Sequence, residues 1–247
     1  MTDVYVGVVH GVIVDHYPEA LIVDVTHAVP PQSIEAGAFA LLAAFESFPP
    51  DTVHWCVVDP GVGTNRRGII ARTPKGWFVG PDNGLLSFVL DRQPLLGCWV
   101  LDRPDHWRHP VSPTFHGRDI FAPTVALLAR DADADALGTS TGTPPLRLAP
   151  LSGSRLPDGS VRGRVVWIDH FGNAVTTIEA TAKGVSTRSR VRIGATLAPV
   201  VRTYADRTDE PVVALCGSSG FLELAAPNGD AASLLGLRVG DPVTLHP

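Results

Sequence analysis

The stretch Val57-Val58-Asp59-Pro60-Gly61-Val62-Gly63-Thr64-Asn65-Arg66-Arg67 ends an apolar run at a carboxylate, turns through proline and glycine, and delivers two guanidinium groups. Ligands bind beyond the carboxyl ends of the strands in an open α/β sheet, so Asp59 stands where a functional group is expected. Gly61 and Gly63 let the backbone approach a ligand closely or adopt positive φ without steric cost. Arg66 can fold back across the turn and hold Asp59 ionised and aimed. A plain surface salt bridge after a strand is the competing reading of the same residues.

Two further stretches belong with this one: Gly80-Pro81-Asp82-Asn83-Gly84-Leu85-Leu86-Ser87, and Ser112-Pro113-Thr114-Phe115-His116-Gly117-Arg118-Asp119-Ile120-Phe121-Ala122-Pro123. Together, in order, they resemble the S-adenosyl-L-methionine hydroxide adenosyltransferases. These adenosine-forming hydrolases are relatives of the fluorinase and chlorinase enzymes, and the likeness runs from Asp3 to the C-terminus. The resemblance implies a catalytic set of Asp59, Arg66 and His116. By itself, a histidine before Gly-Arg-Asp reads as a structural hydrogen-bonder. The resemblance also implies hydrolysis of S-adenosyl-L-methionine to adenosine and L-methionine, with no metal and no organic cofactor.

The chemistry suits these residue types. Displacement at the 5′ carbon of a sulfonium expels a neutral thioether, which needs no general acid. The demand falls on water, which must be held in line and lose a proton as its bond to carbon forms. Asp59 or His116 can take that proton, and Arg66 can orient Asp59 and stabilise hydroxide character. A halide needs no deprotonation. The resemblance places Asp59 and His116 where the fluorinase has tyrosines and Gly117 where it has serine, which favours water over a halide-using halogenase. A non-catalytic adenosine-binding protein is the rival from another class.

For substrate binding the resemblance points to Asp169-His170-Phe171-Gly172-Asn173. Asn173 can both donate to and accept from an adenine edge, and Phe171 and Tyr204 offer stacking faces or ordinary core packing. Asp3 and Asp169 match groups that hold the methionine ammonium, Ser218 and Ser219 would meet its carboxylate, and Glu223 would touch the ribose or cap a strand. The adjacent pairs Asp15-His16, Asp105-His106 and Asp169-His170 are discounted as acid–base pairs, because neighbouring side chains on a strand point apart. The other histidines are discounted with them.

These groups need a scaffold. Leu21 to Thr26 is a short apolar run that reads as a buried parallel strand, and Ser33 precedes an Ala/Leu-rich helix that Pro49-Pro50 ends. Val53 to Val58 and Trp77 to Val79 read as strands, Leu85 to Leu90 as a helix after Asn83, and Asp119 to about Arg130 as another helix. Tyr5 to Val14 is valine-rich and strand-like by propensity, while the resemblance makes it the first helix. Family members open with a buried strand and a Thr-Asp-Phe-Gly turn. This sequence starts at Met1-Thr2-Asp3, so that strand and its ribose-holding aspartate are expected to be missing.

The expected class is α/β: residues 1–145 form an α/β sandwich-type domain with a mostly parallel sheet, and 146–160 a proline-rich linker. Residues 161–247 form an all-β, barrel-like domain of short runs separated by Gly/Asp/Pro turns. The resemblance implies a homotrimer with ligand at the subunit interface.

The chain has 247 residues, 45% of them hydrophobic, enough for a sizeable core. A formal charge of −5 and the lack of any Lys/Arg-rich run argue against nucleic acid as a partner. Three widely spaced cysteines suggest neither disulfides nor a zinc site, which fits a reducing cytoplasm. No run approaches the roughly 18 apolar residues of a spanning helix, so no membrane partner is expected.

Overall fold

The computed structural model describes residues 3–180, 185–206 and 209–247. It divides into two compact units, Met1–Pro150 and Leu151–Pro247.

In the first unit, helix α1 (Tyr5–His16) forms despite its valines and buries Val9, Val12 and Ile13. That spacing sets them on one face, against Phe121, Val125 and Leu128. A β-branched residue costs a helix only about 0.5 kcal/mol against alanine. Burying a valine or isoleucine side chain returns about 1.5–3 kcal/mol. Packing therefore overrides propensity, and the helix suggested by the resemblance is the one that forms. Helix α2 (Ile34–Ala44) starts where expected, with the Ser33 hydroxyl accepting from the Ala36 amide at 3.4 Å. It passes into a 3₁₀ turn, Phe45–Ser47, before the prolines.

Five strands make the first sheet: β1 (Val53–Trp55), β2 (Gly68–Thr73), β3 (Gly76–Pro81), β4 (Gly97–Val100) and β5 (Thr139–Ser140), in the order β1-β3-β2-β4-β5. The sheet is mixed. β1 and β3 run parallel, so the expected parallel character is met at that edge, while β2–β3, β2–β4 and β4–β5 are antiparallel. Helix α3 (Ser87–Arg92) begins two residues later than expected. The helix expected from Asp119 is two elements: a single π-helical turn, Gly117–Phe121, then α4 (Ala122–Ala129) with Pro123 in its first turn. A short α5 (Ala134–Leu137) follows.

Residues 21–26 depart from expectation, since they form no strand. Leu21 is 91% exposed, Val23 58% and Val25 52%. A strand requires a neighbour to take its backbone hydrogen bonds. Among the described residues no strand lies beside this segment, and β1 pairs only with β3.

In the second unit β6 (Ser154–Arg155), β7 (Val161–Ile168), β8 (Ala174–Glu179), β9 (Arg190–Ile193), β10 (Thr196–Pro199), β11 (Val213–Cys216), β12 (Phe221–Ala225) and β13 (Pro242–His246) form one sheet. Its path is β10-β9-β13-β7-β8-β12-β11, with β6 paired to β7, and every ladder is antiparallel. A parallel bridge between Val200 and Ala214 brings the two ends of that path together, so the sheet nearly closes into the expected barrel. Val165, Ile178, Leu222, Leu224 and Leu245 fill its core. Strands β6, β10 and β12 and helix α6 (Ala231–Leu235) were not anticipated. Asp230 caps α6 by accepting from the Ser233 amide at 2.7 Å, and Gly236 ends it in the left-handed conformation.

Candidate active site

Asp59 lies four residues beyond β1, and local hydrogen bonds fix its turn. The Asn83 side chain donates to the Val58 carbonyl at 2.8 Å, pinning the chain just before the carboxylate. The Val62 amide donates to the Asp59 carbonyl at 3.3 Å, and the Thr64 amide and hydroxyl both donate to the Gly61 carbonyl, at 3.1 and 2.7 Å. Gly63 has φ +79°, and a Cβ there would lie 2.4 Å from the Pro113 carbonyl oxygen. Only glycine allows that approach, which brings the loop carrying His116 against the loop carrying Asp59.

Arg66 joins the two loops. Its Nε donates to both Asp59 oxygens, at 2.9 and 3.0 Å, and one terminal nitrogen donates to Asp59 Oδ2 and, at 2.9 Å, meets His116 Nδ1. The guanidinium lies over the Phe121 ring, 5.2 Å from its centroid. The Asp59 and Arg66 side chains are only 6% and 11% exposed, so this ion pair is largely removed from water. Arginine can only donate, so His116 Nδ1 is the acceptor and a neutral imidazole carries its proton on Nε2. Burial first, and the Arg66 charge second, hold His116 below the ordinary histidine range, against the opposing pull of Asp59 and Asp119.

The three residues expected to act together are therefore joined through Arg66 in the first unit. Asp59 and His116 also line a cavity of about 790 Å³ that extends between α1, the 20–27 segment and β1. Asp3, the remaining candidate in this unit, accepts from the Tyr5 amide at 3.0 Å, at the start of α1.

In the second unit Asp169 is occupied by its own turn. One oxygen accepts from the Phe171 and Asn173 amides at 2.9 and 2.8 Å, and the other from the Asn173 side chain at 3.0 Å. Phe171 is 73% exposed, which excludes core packing and leaves a ring face open. Tyr204 donates its hydroxyl to Glu223 Oε1, and that bond, with burial and the charges of Glu223 and Asp169, pushes the phenol up to about 12. Glu223 is buried on β12, and Gly217 makes room for it: a Cβ at 217 would lie 2.4 Å from Glu223 Oε2. Glu223 thus holds Tyr204 rather than capping a strand. Ser218 and Ser219 form the tip of the β11–β12 turn, Ser218 exposed and Ser219 half-buried.

Sequence reasoning missed several supporting residues. Arg67 donates to Asp82 Oδ2 through Nε, at 2.8 Å, and through a terminal nitrogen, at 2.5 Å. Asp82 Oδ1 takes the Leu146 amide at 2.7 Å. The second arginine of the Arg66-Arg67 pair was the available signal, since neighbours on an extended segment serve opposite faces. Asp24, on the cavity wall, sits between His10 Nε2 at 3.0 Å and His27 Nε2 at 2.9 Å, a grouping that sequence separation conceals. Among the described residues no cluster of three or more His, Cys, Asp or Glu could hold a metal, and no helix is long and apolar enough to cross a membrane.

Comparison with known proteins follows this geometry. A family profile described as the SAM hydroxide adenosyltransferase N-terminal domain matches residues 1–138, and one described as the C-terminal domain matches residues 163–244. The chain is 37% identical over 253 residues to a Thermus thermophilus protein named (R)-S-adenosyl-L-methionine hydrolase, covering 99% of this chain and 95% of that one. A Salinispora tropica protein of the same name is 37% identical over 245 residues, covering 98% and 92%. A Nocardia brasiliensis fluorinase is more distant, 27% identical over 274 residues, covering 97% and 91%. The solved structure of an uncharacterized conserved protein from Thermotoga maritima superposes with a TM-score of 0.93 at 33% identity, covering 100% of this chain and 97% of that one.

Proposed function

Belonging as it does to the SAM hydroxide adenosyltransferase family, this chain is a hydrolase of S-adenosyl-L-methionine, and we propose that Asp59, Arg66 and His116 carry the reaction. The observation that carries the proposal is the single Arg66 guanidinium bonded to both of the others.

Water attacks the 5′ carbon. Its oxygen forms the new bond as the carbon–sulfur bond breaks, the electron pair passes to sulfur, and the products are adenosine, L-methionine and a proton. With Nδ1 accepting from Arg66 and the proton on Nε2, neutral His116 offers the water a donor. Asp59 is the group with lone pairs free to receive the proton, and Arg66 keeps it aimed. The pair's small exposure strengthens its field on the attacking oxygen, because little bulk water remains to screen it. The attraction between developing hydroxide and sulfonium gains in the same way.

Recognition of the substrate's ends belongs to the same proposal. Phe171 and Tyr204 supply ring faces, Asn173 an adenine-reading amide, Asp3 and Asp169 the ammonium contacts, Ser218 and Ser219 the carboxylate contacts. Glu223 acts through its grip on Tyr204. A homotrimer with substrate at its subunit interfaces, working in the cytoplasm, completes the reading.

The test is incubation of the protein with S-adenosyl-L-methionine and chromatography of the products, with and without chloride. Adenosine and methionine in both cases support the reading. A chlorinated nucleoside moves the chain to the halogenase branch, and binding of adenosine without turnover makes it a binding protein.

A further inference from the structure

His116 sits at the end of a loop that one side chain closes from the other end. Asp119 is completely buried. Its Oδ2 accepts from the Ser112 amide at 2.8 Å, reaching back seven residues, and from Arg118 at 2.8 Å, while its Oδ1 accepts from Arg118 Nε at 2.6 Å. Its backbone carbonyl accepts from the Arg108 amide at 2.8 Å, and its amide donates to the Phe115 carbonyl at 3.1 Å. Arg118 in turn lies over the Phe115 ring, 5.1 Å from its centroid, and Phe115 meets Tyr5 edge-on at 5.2 Å. The loop is thus held at Ser112 by Asp119 and at Pro113 by the close approach of Gly63. The π turn that contains Asp119 starts immediately after His116. Such turns rotate side chains out of the ordinary helical register and recur at functional sites.

We propose that Asp119 is the positioning residue for His116: its buried carboxylate, closing the 112–119 loop through Ser112 and Arg118, holds the imidazole against Arg66. The proposal rests on the reading that the Asp59–Arg66–His116 cluster carries the hydrolysis. A second effect comes with the first, because Asp119 is a carboxylate outside that pair whose charge acts on His116. The charged groups around the imidazole are Arg66, which lowers its pKa, and Asp59 and Asp119, which raise it. Arg118 neutralises Asp119 in part.

Substitutions on the two sides of the Asp119–Arg118 pair should shift His116 in opposite directions. Asp119→Asn keeps an oxygen for the Ser112 amide but removes the charge, so His116 should titrate lower than in the parent. Arg118→Met leaves the Asp119 charge unopposed, so His116 should titrate higher. The measurement is NMR of the imidazole ring in the full chain, with His116→Gln identifying the resonance, and it needs no turnover. In parallel, Asp119→Ala, which opens the loop, should lower kcat about 100-fold with KM for S-adenosyl-L-methionine nearly unchanged, the cost of a displaced catalytic group. Opposite NMR shifts together with that kcat loss support the proposal. Identical His116 titration in Asp119→Asn and the parent overturns it, as does retained kcat in a folded Asp119→Ala. If Asp119→Ala does not fold, the other two variants still decide. Opposite NMR shifts without any effect of Asp59→Asn on turnover would sink the assignment of the cluster to hydrolysis while leaving the positioning of His116 intact.

Discussion

Asp59 and Asp169 occupy similar local sequence, each a carboxylate just past an apolar run and just before a glycine turn, yet they end in opposite situations. Asp169 binds the amides of residues two and four positions on and the Asn173 side chain, all within its own turn. Asp59 makes no such local closure with its side chain. Its partner is Arg66 across the turn, and through Arg66 it reaches His116, fifty positions further on. A carboxylate satisfied by its own turn builds the turn. One satisfied by a guanidinium that also bonds an imidazole is part of a cluster that faces a cavity. The difference lies in where the partners come from, and the spacing of neighbours does not reveal it.

The largest effect that would break this comparison is at Asp59. Asp59→Asn should lower kcat by about 10²–10⁴-fold with little change in KM, as expected for loss of a proton acceptor, and steady-state adenosine formation measures it. Arg66→Lys comes next. Lysine keeps the charge but cannot span Asp59 and His116 with a planar fork, so kcat should fall about 10–100-fold and His116 should titrate differently by NMR. Asp169→Ala should cost about 1–3 kcal/mol in urea unfolding, because three hydrogen bonds of a turn are lost, and should raise KM through the lost ammonium contact while leaving kcat nearly unchanged. A loss of kcat there comparable to Asp59→Asn would erase the contrast. The smallest effect is at Tyr204. Glu223→Gln removes the carboxylate whose hydrogen bond and charge hold the phenol up, so ultraviolet titration should find Tyr204 ionising at lower pH than in the parent.

The pH dependence carries a sign of its own. His54, buried and stacked on Phe78 at 4.7 Å, is lowered to about 4 by burial. The unfolded chain takes up a proton near pH 6.5 that the folded chain refuses until about 4. The stabilisation from keeping His54 neutral is present above pH 6.5 and is lost as pH falls from there to 4, and the urea midpoint should drop across that window. His54→Phe should flatten the drop.

Much of the site was legible because it lies in contiguous stretches. Asp59, Arg66 and His116 each stand in a motif, and Gly63 marks a close approach of the chain. Asp119 was read as the start of a helix because its partners, Ser112 and Arg118, look like neighbours in an ordinary turn. Five strands of the second unit were visible as short runs, while β6 and β10 are too short to give a pattern and β12, buried along its whole length, shows no alternation. Residues 21–26 carry the composition of a buried strand, but strand structure is a property of pairs. The helix at Tyr5–His16 shows the converse: valine-rich sequence suggests a strand until the face formed by Val9, Val12 and Ile13 finds α4.

The most direct test is hydrolysis in heavy-oxygen water with mass spectrometry of the adenosine, comparing the parent chain with Asp59→Asn. Parent enzyme should place one solvent oxygen at the 5′ position of every adenosine formed, and the variant should form adenosine at a rate lower by two or more orders of magnitude. Adenosine without solvent oxygen, or a variant as fast as the parent, would contradict the role given to Asp59 and its two partners.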